Sequence, residues 1–231
     1  MTRLNNELLE YLVGRRSHPL SSQMTDWLST SRRFTTFASE AKSKIRKKLR
    51  TAEDAESLRD VALELQTAYL LLQERAFTLE YEPKIPEQLR SPDFAVNFTT
   101  HSTFMLEVTR LRGEGLERLA HAACAKLGQL APRRSNVLLI GVPAPVPTPD
   151  ALRALMQGLQ ARVEGGDEVL FKHFGFRDRG DFFSRYRRLS EVLVCSSQRG
   201  VGENLTVWVN PQAKNQLSGR VRTALYRSHM P

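Results

Sequence analysis

With 231 residues, 41% of them hydrophobic, the chain can bury the core of one α/β domain and carry a helical extension, and its apolar runs fall well short of a membrane span. Two cysteines without a C-x-x-C pair (Cys124, Cys195) and five scattered histidines (His18, His101, His121, His173, His229) exclude structural zinc and a zinc enzyme, so any metal falls to carboxylates. A net charge of +9 favours an anionic partner, although a basic surface also serves solubility.

Residues 1–52 read as a basic helical extension. Leu4 to Val13 has helical spacing, and Glu7 and Glu10 interrupt what a signal peptide would keep apolar, so a cytoplasmic chain with no membrane partner is expected. Ser17 to Ser31, polar and containing Pro19, reads as a connection. Phe34, Phe37, Ala38, Ala41, Ile45 and Leu49 then recur along a second helix. Lys44, Arg46, Lys47 and Lys48 on the same helix are candidates for phosphate contact, and the solvated face of a packing helix would look the same.

From Glu53 to Ala76, Leu58, Val61, Leu65, Ala68 and Leu72 form the stripe of a long helix, with Glu64 beside it. Phe77 to Pro83 alternates as a half-buried strand does. Strands Asp93 to Phe98 and Phe104 to Leu111 follow, joined by T-T-H-S, and Gly113 and Gly115 lead into a helix to about Leu127. Asn136 to Pro143 is the continuous apolar run of a central strand. Asp150 is expected to cap a helix ending near Gly165 and Gly166.

Phe171 to Leu189 interleaves aromatics with Arg185, Arg187 and Arg188, a pattern that can stack bases and grip phosphates or bury aromatics beneath water-facing arginines. Strands Glu191 to Ser196 and Leu205 to Val209, and a helix entered through Asn210 and Pro211, complete the expected order.

The chemistry centres on S-P-D-F-A-V-N-F followed by F-M-L-E-V-T-R-L. A hairpin centred at Thr100 sets Asp93 opposite Glu107, Ala95 opposite Met105 and Val96 opposite Phe104. Alternation then puts Phe94, Val96, Phe98, Phe104 and Leu106 on one face and Asp93, Glu107 and Thr109 on the other. Facing carboxylates repel at neutral pH unless a cation, a proton or a basic side chain lies between them. Magnesium or manganese, held by Asp93, Glu107 and the Val108 carbonyl, would polarise a phosphodiester and acidify an attacking water. Two acids solvated on a sheet face would show the same pattern. Residues 1–50 hold 11 Lys and Arg against 4 acids, residues 51–171 hold 12 against 17, and residues 172–231 hold 11 against 4. A carboxylate metal site between surfaces that grip a polyanion has this distribution.

The order helix, three strands, helix, strand over roughly Glu53 to Val142, with Pro92-Asp93 entering the second strand and Glu107-Val108-Thr109 on the third, resembles the PD-(D/E)xK nuclease-like superfamily. The resemblance implies a restriction-endonuclease-like α/β domain over residues 53–231, with C-terminal strand-strand-helix additions. It implies that Asp93 and Glu107 bind the metal and that Glu64, with Glu80 and Glu82 as competing positions, adds a carboxylate. It further implies a metal-dependent nuclease that hydrolyses phosphodiester bonds, with DNA favoured over RNA. The alternative is a catalytically inactive nuclease-like fold that acts as a nucleic-acid-binding or protein-interaction module, and a homodimer is left open. Thr109 departs from the family, which has lysine there. Lys126 and Arg118 on the following helix are candidates to replace it, whereas Arg110 and Arg112 should point to the other face. No G-x-x-x-x-G-K-[ST], complete dinucleotide fingerprint or G-x-S-x-G elbow is present.

Overall fold

The computed structural model of the chain describes residues 2–14, 18–86, 90–99, 102–113, 115–143, 145–197 and 205–228. Four N-terminal helices, α1 (Arg3–Val13), α2 (Ser21–Thr30), α3 (Arg32–Glu40) and α4 (Lys42–Thr51), precede the long α5 (Ala55–Leu71). Strands β1 (Phe77–Tyr81), β2 (Phe94–Phe98) and β3 (Ser102–Arg110) come next, then α6 (Leu116–Leu127) and β4 (Ser135–Val142). Helices α7 (Pro149–Glu164), α8 (Glu168–Phe174) and α9 (Arg179–Tyr186) lead to β5 (Leu189–Ser196), β6 (Leu205–Val209) and α10 (Gly219–Ser228).

The six strands lie in chain order in one mixed sheet: β1 to β3 are antiparallel, β3 to β5 parallel, and β6 returns antiparallel to β5. The fold is therefore α/β. Alternation along the strands sends Phe94, Val96, Phe104, Leu106, Val137, Leu139 and Leu193 to one core with α1 to α5 and α10, whereas Leu138, Ile140, Val192 and Val194 join α6 to α9 on the opposite face. The basic segment 1–52 shares the first of these cores: Phe34, Ile45 and Leu49 lie in it together with Phe77 and Phe94. Among the described residues no helix is long and apolar enough to cross a membrane.

Polar caps set several helix starts. Asp54 accepts a hydrogen bond from the Ser57 N–H at 2.7 Å and opens α5, and Ser31 accepts from Phe34 and opens α3. Gly141 in β4 lets α5 approach closely: a Cβ there would stand 2.6 Å from a methyl of Leu63. On the same side Arg110 reaches across from β3 to Asp60 and Glu56 of α5, as alternation predicts. The buried Glu191 of β5 pairs with Arg222 and accepts from the Tyr226 hydroxyl at 2.7 Å, anchoring α10 to the sheet.

Four expectations need correction. Residues 17–31 contain α2, because Met24, Trp27 and Leu28 supply a short buried stripe amid polar residues. The single helix expected after it is two, α3 and α4, broken where Ala41 leaves helical geometry (ψ 5°). Thr148 rather than Asp150 caps α7, accepting from the Ala151 N–H with Pro149 in the first turn. Asn210 opens no helix. It is fully buried, and its amide donates to the Tyr186 and Leu189 carbonyls, so the last helix begins only at Gly219. The hairpin centre Thr100, with His101 and His229, lies outside the described residues.

Candidate active site

The β2–β3 ladder pairs Phe94 with Leu106, Ala95 with Met105 and Val96 with Phe104, which is the register expected from alternation. Asp93 stands one step beyond the last pair, at the entry to β2. Its backbone carbonyl still accepts from the Glu82 N–H at 2.8 Å. Its side-chain Oδ2 accepts from the Val108 N–H at 2.8 Å, taking the place of the strand that has ended. Asp93 and Glu107 are thus brought to the same end of the β2–β3 pair, with Thr109 half-buried two residues further on.

Glu64 joins them from α5. The linking group is Lys48 of α4, whose ammonium lies 2.6 Å from Glu64 Oε1, 3.1 Å from Glu82 Oε1 and 3.5 Å from Asp93 Oδ1. Lys126 of α6 approaches from the other side, with Nζ 3.1 Å from Glu107 Oε2 and 3.3 Å from Gln129 Oε1. Arg118 stays outside the cluster, donating to the Arg112 carbonyl, and Glu80 is exposed on β1.

The cluster holds four carboxylates, Glu64, Glu82, Asp93 and Glu107, against two ammonium groups, so full ionisation leaves two negative charges. Burial pushes Glu64 up to about 7, with the Asp93 charge adding to it and Lys48 opposing. Glu107 is also raised to about 7, first by burial and then by Asp93, against Lys126 and Lys48. Burial disfavours the Lys48 ammonium, but Glu64, Asp93 and Glu82 together outweigh it and raise its pKa. The Tyr81 hydroxyl, in a residue only 3% exposed, faces Glu64 without meeting hydrogen-bond geometry, and burial and that carboxylate raise it strongly.

Such donors suit a hard divalent cation in kind, all oxygen, and in charge, since two positive charges would neutralise the cluster. Asp93, Glu107 and the Val108 carbonyl are the ligands expected from the sequence, and Glu64 lies beyond them across Lys48. Among the described residues no three His, Cys, Asp or Glu side chains form a group able to hold a metal ion, and the position shared by Glu64, Glu82 and Asp93 is filled by Lys48.

The other candidate cations divide by surroundings. Arg46 and Lys47 are exposed, and Arg46 lies over the Tyr11 ring at 4.6 Å from its centroid. Lys44 donates to the Tyr81 and Glu82 carbonyls at 2.6 and 2.9 Å, so together with Lys48 it is turned towards β1. Arg185 is paired with Asp181 and covers the Phe176 ring, Arg188 donates to the Leu130 carbonyl, and Arg187 is exposed. Nothing in the sequence marks Lys48 as a partner of the acids, because no periodicity in α4 singles it out. Lys126 was a candidate only by its place on the following helix.

No family model, curated protein or solved structure matches the chain.

Proposed function

We propose that the chain is a metal-dependent nuclease of the PD-(D/E)xK type, with a restriction-endonuclease-like core, that hydrolyses phosphodiester bonds, with DNA favoured over RNA. The observation that carries this reading is the convergence of Glu64, Asp93 and Glu107 from a helix and two adjoining strands onto one end of the sheet, with Lys126 at Glu107. In this reading Lys126 takes the part of the lysine that the family's third-strand motif has and this chain lacks. Thr109 cannot supply a charge, but α6 brings an ammonium to the same carboxylate from the other side of the motif.

A magnesium or manganese ion held by Asp93, Glu107 and the Val108 carbonyl would polarise the phosphodiester and acidify a water. The protein's own groups do the rest. The Val108 N–H fixes the Asp93 carboxylate, Lys126 orients Glu107 and stands ready to hold a water or offset charge developing on phosphate, and Thr109 offers a hydroxyl on the same strand. Arg46, Lys47 and Arg187, exposed on either flank, supply cations for a polyanionic backbone.

Endonuclease assays on plasmid DNA and RNA with magnesium or manganese test the reading. The wild type should cut, and Asp93→Asn and Lys126→Gln should each lower the rate by about 100-fold or more while the fold survives. A second reading, an inactive nuclease-like fold that binds nucleic acid or protein, is favoured by one observation: Asp93 and Glu107 already have lysine partners. Wild-type protein inert on every substrate with either metal would make that reading the better one.

A further inference from the structure

Lys48 belongs to the N-terminal helical segment, yet its ammonium sits at the centre of the acidic cluster. Helix α4 is anchored for this by Ile45 and Leu49, both buried in the core shared with the sheet. One turn before Lys48, Lys44 clamps the Tyr81 and Glu82 carbonyls. Glu82 is held there with φ of +46°, a left-handed conformation that costs a non-glycine residue energy, and from it the carboxylate reaches Lys48. The Tyr81 ring lies 5.0 Å beneath the ammonium, and the Tyr81 hydroxyl is buried without a partner against Glu64. The groups paired with Lys48, three carboxylates and the face of an aromatic ring, thus all favour a cation.

The Lys48 side chain keeps 26% of its surface exposed. Its long flexible stem can therefore swing to solvent while α4 stays docked. Asp93 is the point of conflict, because its Oδ1 faces Lys48 and the same carboxylate is a proposed metal ligand. A divalent ion and an ammonium at one carboxylate repel, and the ion carries twice the charge.

We propose that Lys48 is a tethered counter-ion of this site, occupying the acidic cluster in the metal-free protein and competing with divalent metal for Asp93, so that metal entry releases its ammonium towards solvent. The N-terminal segment then regulates metal occupancy. This rests on the metal site proposed above, and linkage makes the coupling reciprocal: what Lys48 takes from metal affinity, metal takes from Lys48 pairing.

Manganese alone is the probe, titrated into the full-length wild type, Lys48→Gln and Asp93→Asn while the free ion is followed by its paramagnetic resonance signal. Lys48→Gln should bind manganese on the order of tenfold more tightly than wild type, and Asp93→Asn should lose binding. On wild-type protein, brief acetic anhydride labelling read by peptide mass spectrometry should show Lys48 modified several-fold faster with saturating manganese, with exposed Lys47 unchanged as the internal control. That labelling decides the matter even if Lys48→Gln misfolds. Manganese binding by wild type that Lys48→Gln does not strengthen, with Lys48 no more reactive when metal is bound, overturns the competition and leaves the metal site standing. No manganese binding by either wild type or Lys48→Gln overturns both.

Discussion

Raising the pH from about 5 to about 8 ionises Glu107 inside the folded protein, where its side chain is 5% exposed and the Asp93 charge acts on it. Its pKa there is about 7 against an ordinary 4.5, so the folded state holds the proton more tightly than the unfolded chain does. Stability is greatest below the unfolded value, is lost as pH climbs between the two values, and stays low above the folded one. One carboxyl raised this far costs about 3 kcal/mol above neutrality, and the very low exposure leaves little to discount for solvent. For a chain of this length that is about 6 to 12 °C in Tm. Calorimetry in metal-free buffer should therefore show wild-type Tm falling across this window, with Glu64, raised by the same causes, adding to the slope. Glu107→Gln cannot ionise, so its curve should be markedly flatter. Magnesium added above pH 7 should recover part of the loss in the wild type and much less in the variant. Parallel pH curves for wild type and Glu107→Gln would refute the reasoning, since they would place the titration elsewhere.

Gly141→Ala would push a methyl into Leu63, and the separation of α5 from β4 that follows should cost about 1–3 kcal/mol by chemical denaturation and weaken any metal site that includes Glu64. Replacing exposed Arg46, Lys47 and Arg50 together by glutamine should weaken DNA binding on every sequence and make the salt slope shallower by up to about three, with unchanged circular dichroism. An unaltered slope would mean that this face is only solvated. Thr109→Lys would add a second ammonium near one that Lys126 already provides, so cleavage should stay level or fall; a faster enzyme would show that Lys126 does not replace the family's lysine.

Strand periodicity was enough to read the centre of this protein from its sequence. The alternation in F-A-V-N-F and F-M-L-E-V determines which residues face which core and, through the hairpin, the register that brings Asp93 and Glu107 together, because side chains of a strand have only two directions to choose from. The stripe through Val61, Leu65 and Ala68 likewise marks α5. Elsewhere periodicity was too short or was cut by a break. Helix α2 has only Met24, Trp27 and Leu28 to show, and Ala41 splits α3 from α4 without a glycine or proline to announce it. The contacts of the two lysines were decided by tertiary structure, although the place of Lys126 on the following helix already made it a candidate. Lys48 meets Glu64, Glu82 and Asp93 because α4 docks by Ile45 and Leu49 beside the end of β1, and Lys126 meets Glu107 because α6 packs against β4, the strand next to β3. A sequence pattern tells which side of a helix is buried, but not which strand end that side covers. A lysine's long stem lets its charge settle wherever carboxylates from distant segments have gathered.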